Sequence, residues 1–269
     1  MSTPINLLKI KLLEIVDATQ ISANAINDHG QAVGQFADKK GITHGFLYQE
    51  GSFCQIDCPD TTGINILGIN NLGQMVGLIT TLTGTSGFVY DRGTFSPPLN
   101  YPGSANLTVA NAINDRGEIV GIFQSAVPGE HSFLLKAGVF QQLTYPNSKE
   151  TAAQGINENG QVVGNFPDAN GTHGFVYLEN VGVFTPPLDC PGASGTVLRG
   201  INNEGQIVGG CIGKTGHESP FLYMAASLHP ILIPHAITTS INGMNSRGQI
   251  VGNLQDQTGS HSFIATLPT

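Results

Sequence analysis

Charge is scarce in this sequence. Only 11% of its 269 residues are Asp, Glu, Lys or Arg, and the net charge is −8. No basic cluster exists; Lys39 and Lys40 form the densest pair. Such a chain lacks the electrostatic footprint that duplex nucleic acid requires, so no nucleic-acid partner is expected. No apolar run approaches the length of a membrane span, and no membrane partner is expected. The N-terminal stretch MSTPINLLKIKLLEIVDAT is interrupted by Lys9, Lys11 and Glu14. No small-residue cleavage site follows it, so it does not read as a signal peptide. As written, the chain reads as cytoplasmic.

Cysteine is also sparse. Cys54, Cys58, Cys190 and Cys211 show no CxxC spacing. That argues against a zinc or disulfide framework and for small buried hydrophobes. Helical spacing is absent over any useful length, and no Gly-rich loop leads into a helix to cradle phosphate. No loop has the oxygen-ligand spacing of a calcium site. No Ser-His-Asp or Cys-His set can be specified from spacing. Neither a metal nor another cofactor is expected.

What the chain has is glycine, 35 in all, and repetition. AINDHGQAVG (25–34) recurs as GINNLGQMVG (68–77), AINDRGEIVG (112–121), GINENGQVVG (155–164), GINNEGQIVG (200–209) and GMNSRGQIVG (243–252). The anchoring residues are Asn27, Asn70, Asn114, Asn157, Asn202 and Asn245. A second motif follows each: HGFLY, SGFVY, HSFLL, HGFVY, SPFLY and HSFIA. Each copy reads as four short strands. The first ends at the Asn, and N-x-x-G is a turn in which Gly takes a positive φ and Asn bonds to the backbone. The second strand is QxVG, the third carries the Phe, and the fourth is the following F…P segment. Four strands in about 43 residues is the size of a propeller blade.

The sequence therefore predicts an all-β, single-domain protein over 1–269, a six-bladed β-propeller with four-stranded antiparallel blades. The last repeat stops after its third strand, and residues 6–16 read as an orphan strand. That N-terminal strand is expected to complete the last blade and close the ring, removing exposed sheet edges. Cys58 and Cys190 hold the same repeat position in blades expected to be opposite, too far apart for a bond.

The segments GINENGQVVG, GTHGFVY and GVFTPPLDCPGA resemble the HAF-type extracellular repeat family. The resemblance runs from about Ile21 to Phe263. It is specific for the repeat and implies no single activity. It also implies an extracellular location as the alternative to the cytoplasm.

Positions that repeat six times read as architecture. The Ile before each Asn (Met244 in the last copy) and Phe46, Phe88, Phe133, Phe175, Phe221 and Phe263 are expected to pack between blades. Positions where the copies differ are better places for function. Three residues before each Asn come Asn24, Leu67, Asn111, Gln154, Arg199 and Asn242, each followed by Ala or Gly. We expect this ring to face the top of the central channel. It would suit a small polar organic ligand (a sugar, an amide or an organic acid), with Arg199 holding a carboxylate or phosphate. The plain alternative is a ring bonded to itself and to channel water.

A second set is His44, His131, His173 and His261, with Ser86 and Ser219 at the equivalent positions. These start the third strand, two strands out from the axis, so they cannot share one ion. Each is expected to tie down its own loop. His217, in GKTGHESP, breaks the pattern and is a further candidate. Asp38, Asp168 and Asp256 read as turn residues, and Asp28, Asp115 and Glu158 as solvated. The functional expectation is ligand binding at the channel mouth. The alternatives are an enzyme of hydrolase, lyase or cyclase type in the same pocket, or a scaffold that meets a protein partner through its top loops.

Overall fold

The structure is a computed structural model that describes residues 3–7, 9–126 and 129–268. Among these residues every regular element is a β-strand. Unit 1 comprises β3 (Gln20–Ile26), β4 (Ala32–Ala37), β5 (Thr43–Gln49) and β6 (Ser52–Ile56). Unit 2 comprises β7 (Gly63–Ile69), β8 (Met75–Thr81), β9 (Gly84–Asp91) and β10 (Thr94–Phe95). Unit 3 runs through β11 (Thr108–Ile113), β12 (Ile119–Gln124), β13 (Glu130–Lys136) and β14 (Val139–Leu143). Unit 4 follows with β15 (Ala152–Ile156), β16 (Gln161–Asp168), β17 (Gly171–Leu178) and β18 (Val183–Phe184). Unit 5 is β19 (Gly195–Ile201), β20 (Ile207–Ile212), β21 (Glu218–Met224) and β22 (Ser227–Leu232). Unit 6 has β23 (Thr238–Met244), β24 (Gln249–Gln255) and β25 (Ser260–Thr266).

Within each unit, strands pair antiparallel in chain order. Units 1 and 2 are joined by one parallel bridge, Thr43 to Gly63, and units 4 and 5 by another, Thr172 to Gly195. The N-terminal segment splits. β2 (Ile10–Leu13) pairs antiparallel with β25 as the fourth strand of unit 6. β1 (Ile5–Asn6) pairs in parallel with β22 of unit 5. Asn6, read from sequence as part of the last sheet, thus extends the preceding one; Leu8 lies outside the described residues.

The core is not one mass but a series of clusters, each at the junction between successive units. One Val of the preceding unit reaches into each: Val33, Val76, Val120, Val163, Val208 and Val251. Val251 of unit 6 packs with Phe46 and Tyr48 of unit 1. The six repeated Phe residues are at most 1% exposed, as expected of packing between units. Each lies over a second-strand glycine. A Cβ on Gly164 would stand 2.0 Å from the Ala152 carbonyl oxygen and 2.7 Å from the Phe175 ring. Glycine is required there by space.

Each first strand carries a register shift. It falls between Ala23 and Ala25, Ile66 and Gly68, Ala110 and Ala112, Ala153 and Gly155, Leu198 and Gly200, and Ile241 and Gly243. The skipped residues are Asn24, Leu67, Asn111, Gln154, Arg199 and Asn242. A bulge frees one residue from the ladder and re-aims its side chain. The small residue after each bulge permits backbone contact between units: a Cβ on Gly68 would lie 2.9 Å from Ala112 Cα.

One cysteine expectation is overturned. Cys190 and Cys211 form a disulfide across the junction of units 4 and 5, while Cys54 and Cys58 are free. Cys190 occupies the position of Tyr101 and Tyr145. Those rings stack on Phe123 and Phe166 of the next unit, each at 3.6 Å between centroids. Cys211 stands at the position of Phe123 and Phe166, so a covalent bond replaces the stacked pair.

Candidate functional site

The turns after the first strands meet at one end of the fold. Asn157 Oδ1 accepts from the Asn159 and Gln161 amides, both at 3.0 Å, and Nδ2 donates to Gln161 Oε1 at 2.8 Å. The same Nδ2 donates to the Asn202 carbonyl at 2.9 Å. Equivalent bonds run from Asn27 to Asn70, Asn70 to Asn114, Asn114 to Asn157, Asn202 to Asn245 and Asn245 to Asn27. A parallel circuit joins the next residues. The amides of Asp28, Asn71, Asp115, Glu158, Asn203 and Ser246 each donate to the side chain of the next member, and Ser246 returns to Asp28. Asp28, Asp115 and Glu158, read from sequence as solvated, are links in this circuit. Burial pushes the Glu158 carboxyl up, helped by the nearby charges of Asp115 and Glu118, against its hydrogen bond from the Asp115 amide.

Two small cavities lie where the first strands come together. The lower, about 70 Å³, is lined by this acidic and amide circuit. The upper, about 120 Å³, is lined by all six bulge residues, Asn24, Leu67, Asn111, Gln154, Arg199 and Asn242. Ile26, Ile69, Ile113, Ile156, Ile201 and Met244 line both, forming an apolar collar between them while also packing between units.

The bulge residues therefore meet, but most are already engaged. Asn24, Asn111 and Asn242 donate to the Ile66, Ala153 and Ala23 carbonyls of the next unit, at 2.8, 2.8 and 2.9 Å. Arg199 is held by Glu218 in a two-pronged ion pair, with Nη2 to Oε2 at 2.8 Å. Sequence reasoning offered that guanidinium to a ligand; the protein supplies its own carboxylate. Gln154 keeps a free amide. The upper cavity has room for about four waters at ~30 Å³ each. Pockets that take organic ligands measure about 300–1,000 Å³.

A larger opening lies on the loop face between units 6 and 1. It measures about 470 Å³ and is lined by Thr19, Gln20, Ser22, Gln35, Phe36, Thr43, Asn253, Ser260 and His261 among others. No Lys, Arg, Asp or Glu lines it. Its floor is tied: Ser262 Oγ accepts from the Ala23 amide at 3.0 Å and donates to the Ile21 carbonyl at 3.0 Å. Asn253 Nδ2 donates to Ser22 Oγ at 3.1 Å, and Ser22 Oγ donates to Asn24 Oδ1 at 3.0 Å. Sequence reasoning missed this cleft because it belongs to a junction, not to a motif.

His44, His173 and His261 tie down loops. His44 Nδ1 meets Asp57 at 2.7 Å, with Asp38 at 3.7 Å from Nε2. His173 sits between Asp189 at 3.0 Å and Asp168 at 2.9 Å. Burial pulls the His173 imidazolium down, but the hydrogen bonds to Asp189 and Asp168 outweigh it and raise its pKa overall. His261 Nε2 bonds Thr258 Oγ1 at 2.9 Å, with Asp256 at 3.4 Å. His131 lies against the Phe123 ring at 5.4 Å. His217 is exposed in a turn closed by its own carbonyl and the Gly213 amide. Among the described residues no three His, Cys, Asp or Glu side chains are grouped to hold a metal.

No family model and no curated protein matches the chain. Solved structures do. The β-propeller domain of the Trilobed protease from Pyrococcus furiosus is similar over 93% of this chain and 79% of its own, with TM-score 0.61 and 14% identity. The Aleuria aurantia lectin in complex with Fucα1-6GlcNAc is similar over 94% and 96%, with TM-score 0.55 and 12% identity. A gluconolactonase from Xanthomonas campestris is similar over 99% and 97%, with TM-score 0.55 and 12% identity. At these identities the likeness shows the fold alone, and the fold is a β-propeller.

Proposed function

We propose that the chain is a closed six-bladed propeller of the HAF-repeat kind that binds a small, neutral, hydroxyl-rich organic ligand, a sugar or a close analogue. The two hydrogen-bonded circuits, each returning from unit 6 to unit 1, support the ring. The binding reading rests on one observation: the cleft of about 470 Å³ between units 6 and 1, lined by amides and hydroxyls without a Lys, Arg, Asp or Glu. Amide and hydroxyl groups pair with sugar hydroxyls as both donors and acceptors. The channel mouth is the weaker place, because of its small volume and its engaged amides. The lectin and the gluconolactonase of the same fold act on saccharides or their derivatives by name, which agrees with this reading without carrying it.

The Cys190–Cys211 bond favours an oxidising, extracytoplasmic setting over the cytoplasm, where such bonds are rarely kept.

The test is calorimetric titration with a panel of methyl glycosides of fucose, galactose, glucose and N-acetylglucosamine. Gln20→Ala with Gln35→Ala should weaken binding about tenfold, the worth of one or two lost hydrogen bonds. Gln154→Ala in the channel should leave it unchanged. Loss of binding in Gln154→Ala alone would return the site to the channel.

A further inference from the structure

The cleft between units 6 and 1 is not the sole large opening on the loop face. A second one, of about 540 Å³, lies between units 2 and 3. Its lining includes Thr81, Thr83, Thr85, Ser86, Asn100 and Ser104, again hydroxyls and amides, with no charged side chain.

The two clefts share part of their place in the repeat, the first extending over Gln20, Ser22 and Gln35 and the second over Asn100, Tyr101 and Ser104. Ser260 and His261 on the rim of the first correspond to Thr85 and Ser86 in the second, at the start of the third strand. Thr19 and Asn106, on the opposite rims, each stand eight residues before the anchoring Asn of their unit. The junctions differ in how they are held. At the second cleft the Thr85 amide donates to the Asn106 carbonyl at 2.9 Å, and Thr85 bridges Leu107. At the first, the tie comes from Ser262 and Asn253 below the rim.

The second cleft also has a fixed wall. Tyr101 contributes to its lining while its ring stacks on Phe123 at 3.6 Å and 9°. The Ser104 amide donates to the Tyr101 carbonyl at 2.9 Å, closing the turn that carries Pro102 and Gly103. The hydroxyls of Thr81 and Thr83 lie 3.1 Å apart. A rigid, uncharged wall of this kind suits the same chemical class as the first cleft.

We propose that the protein has two saccharide sites on one face, one at the junction of units 6 and 1 and one at the junction of units 2 and 3. A single chain then engages two sugars of one glycan-bearing surface, and the tether between the sites multiplies affinity without a new contact. This inference rests on the saccharide reading given above.

The test is the stoichiometry of the same methyl glycoside panel, by titration and by native mass spectrometry. Wild type should bind two equivalents. Ser260→Tyr, which fills the first cleft, and Ser104→Tyr, which fills the second, should each leave one; the double variant should leave none. Circular dichroism and melting temperature check that each variant is folded, and Asn100→Ala gives a milder probe of the second cleft. On a surface coated with a neoglycoprotein, wild type should dissociate at least tenfold more slowly than either single variant. One equivalent in wild type, lost in Ser260→Tyr and kept in Ser104→Tyr, overturns the second site and leaves the saccharide reading standing. No binding of any panel member overturns both; binding that neither variant alters overturns the two-cleft proposal and moves the saccharide site elsewhere.

Discussion

The side-chain amide of Asn245 donates to the main-chain carbonyl of Asn27 at 2.8 Å, across 218 residues of sequence. The same bond, between residues 43 to 45 apart, joins the other units. Each Asn also closes its own turn, so one side chain serves local and long-range structure together.

Asn157→Ala is therefore expected to destabilise by about 3 kcal/mol or more. Asn157 is 3% exposed; its loss removes one of the two donors to the Asn202 carbonyl, which keeps the Gly205 amide, and takes the side-chain acceptor from the Asn159 and Gln161 amides. Urea denaturation measures this; a change under about 1 kcal/mol would show that the circuit contributes little.

Gly164→Ala should cost more than about 3 kcal/mol, or prevent folding. Its Cβ would collide with the Ala152 carbonyl, and main chain cannot give way as a flexible side chain can. The control is Gly192→Ala, at an open position where φ is +76°, whose penalty is backbone strain alone.

Reduction should lower the melting temperature. The Cys190–Cys211 bond closes a loop of 21 residues, for which loop entropy gives about 3 kcal/mol. The double variant Cys190→Tyr with Cys211→Phe rebuilds the aromatic pair of the other junctions. It should fold and lose its sensitivity to dithiothreitol. A wild-type melt unmoved by the reductant would contradict this.

The His173 clamp has a sign that depends on pH. Its folded pKa is raised above the ordinary 6.5, so its stabilisation is full below that value and fades as pH rises through the folded pKa. Asp168 is lowered from 3.8 by the Asn170 amide and by His173, so its share is present above that value and fades as pH falls. His173→Ala should thus cost more at pH 5.5 than at pH 8.5, by about 1 kcal/mol for so solvent-near a pair. Equal costs from urea midpoints at both pH values would remove the clamp.

Glu118 replaces the Gln found at this place in the other repeats. Burial opposes its charge, but hydrogen bonds from Arg116, Asn114 and Lys136 hold its pKa down to about 2 from 4.5. Its contribution is present above 4.5 and lost as pH falls toward 2. Glu118→Gln should flatten the acid limb of stability between those values. A limb as steep as that of wild type would assign the acid sensitivity to other carboxylates.

The strands, turns and buried Phe residues could be read in the sequence because each rests on a residue type at a fixed spacing. The meeting of Asn24 with Arg199 and their counterparts was legible for the same reason. Their engagement was not, because Glu218 lies 19 residues from Arg199 and in no shared motif. The bulge has no letter of its own. Cys190 shares its repeat position with Cys58, but its partner stands nine residues after the next anchoring Asn, a position that holds Phe123, Phe166 and then Cys211. The clefts depend on how two units meet, which a one-unit pattern does not encode.

The six bulges have a wider consequence. Because each bulged residue sits outside the hydrogen-bond ladder, the strand register stays the same whichever residue stands there. The six copies carry Asn, Leu, Gln or Arg at this one site while the strands around it pair in the same register. A library at Leu67 and Gln154 would thus explore new chemistry at little cost to folding, whereas Asn24, Asn111, Asn242 and Arg199 carry bonds to the next unit or to Glu218 that a substitution would break.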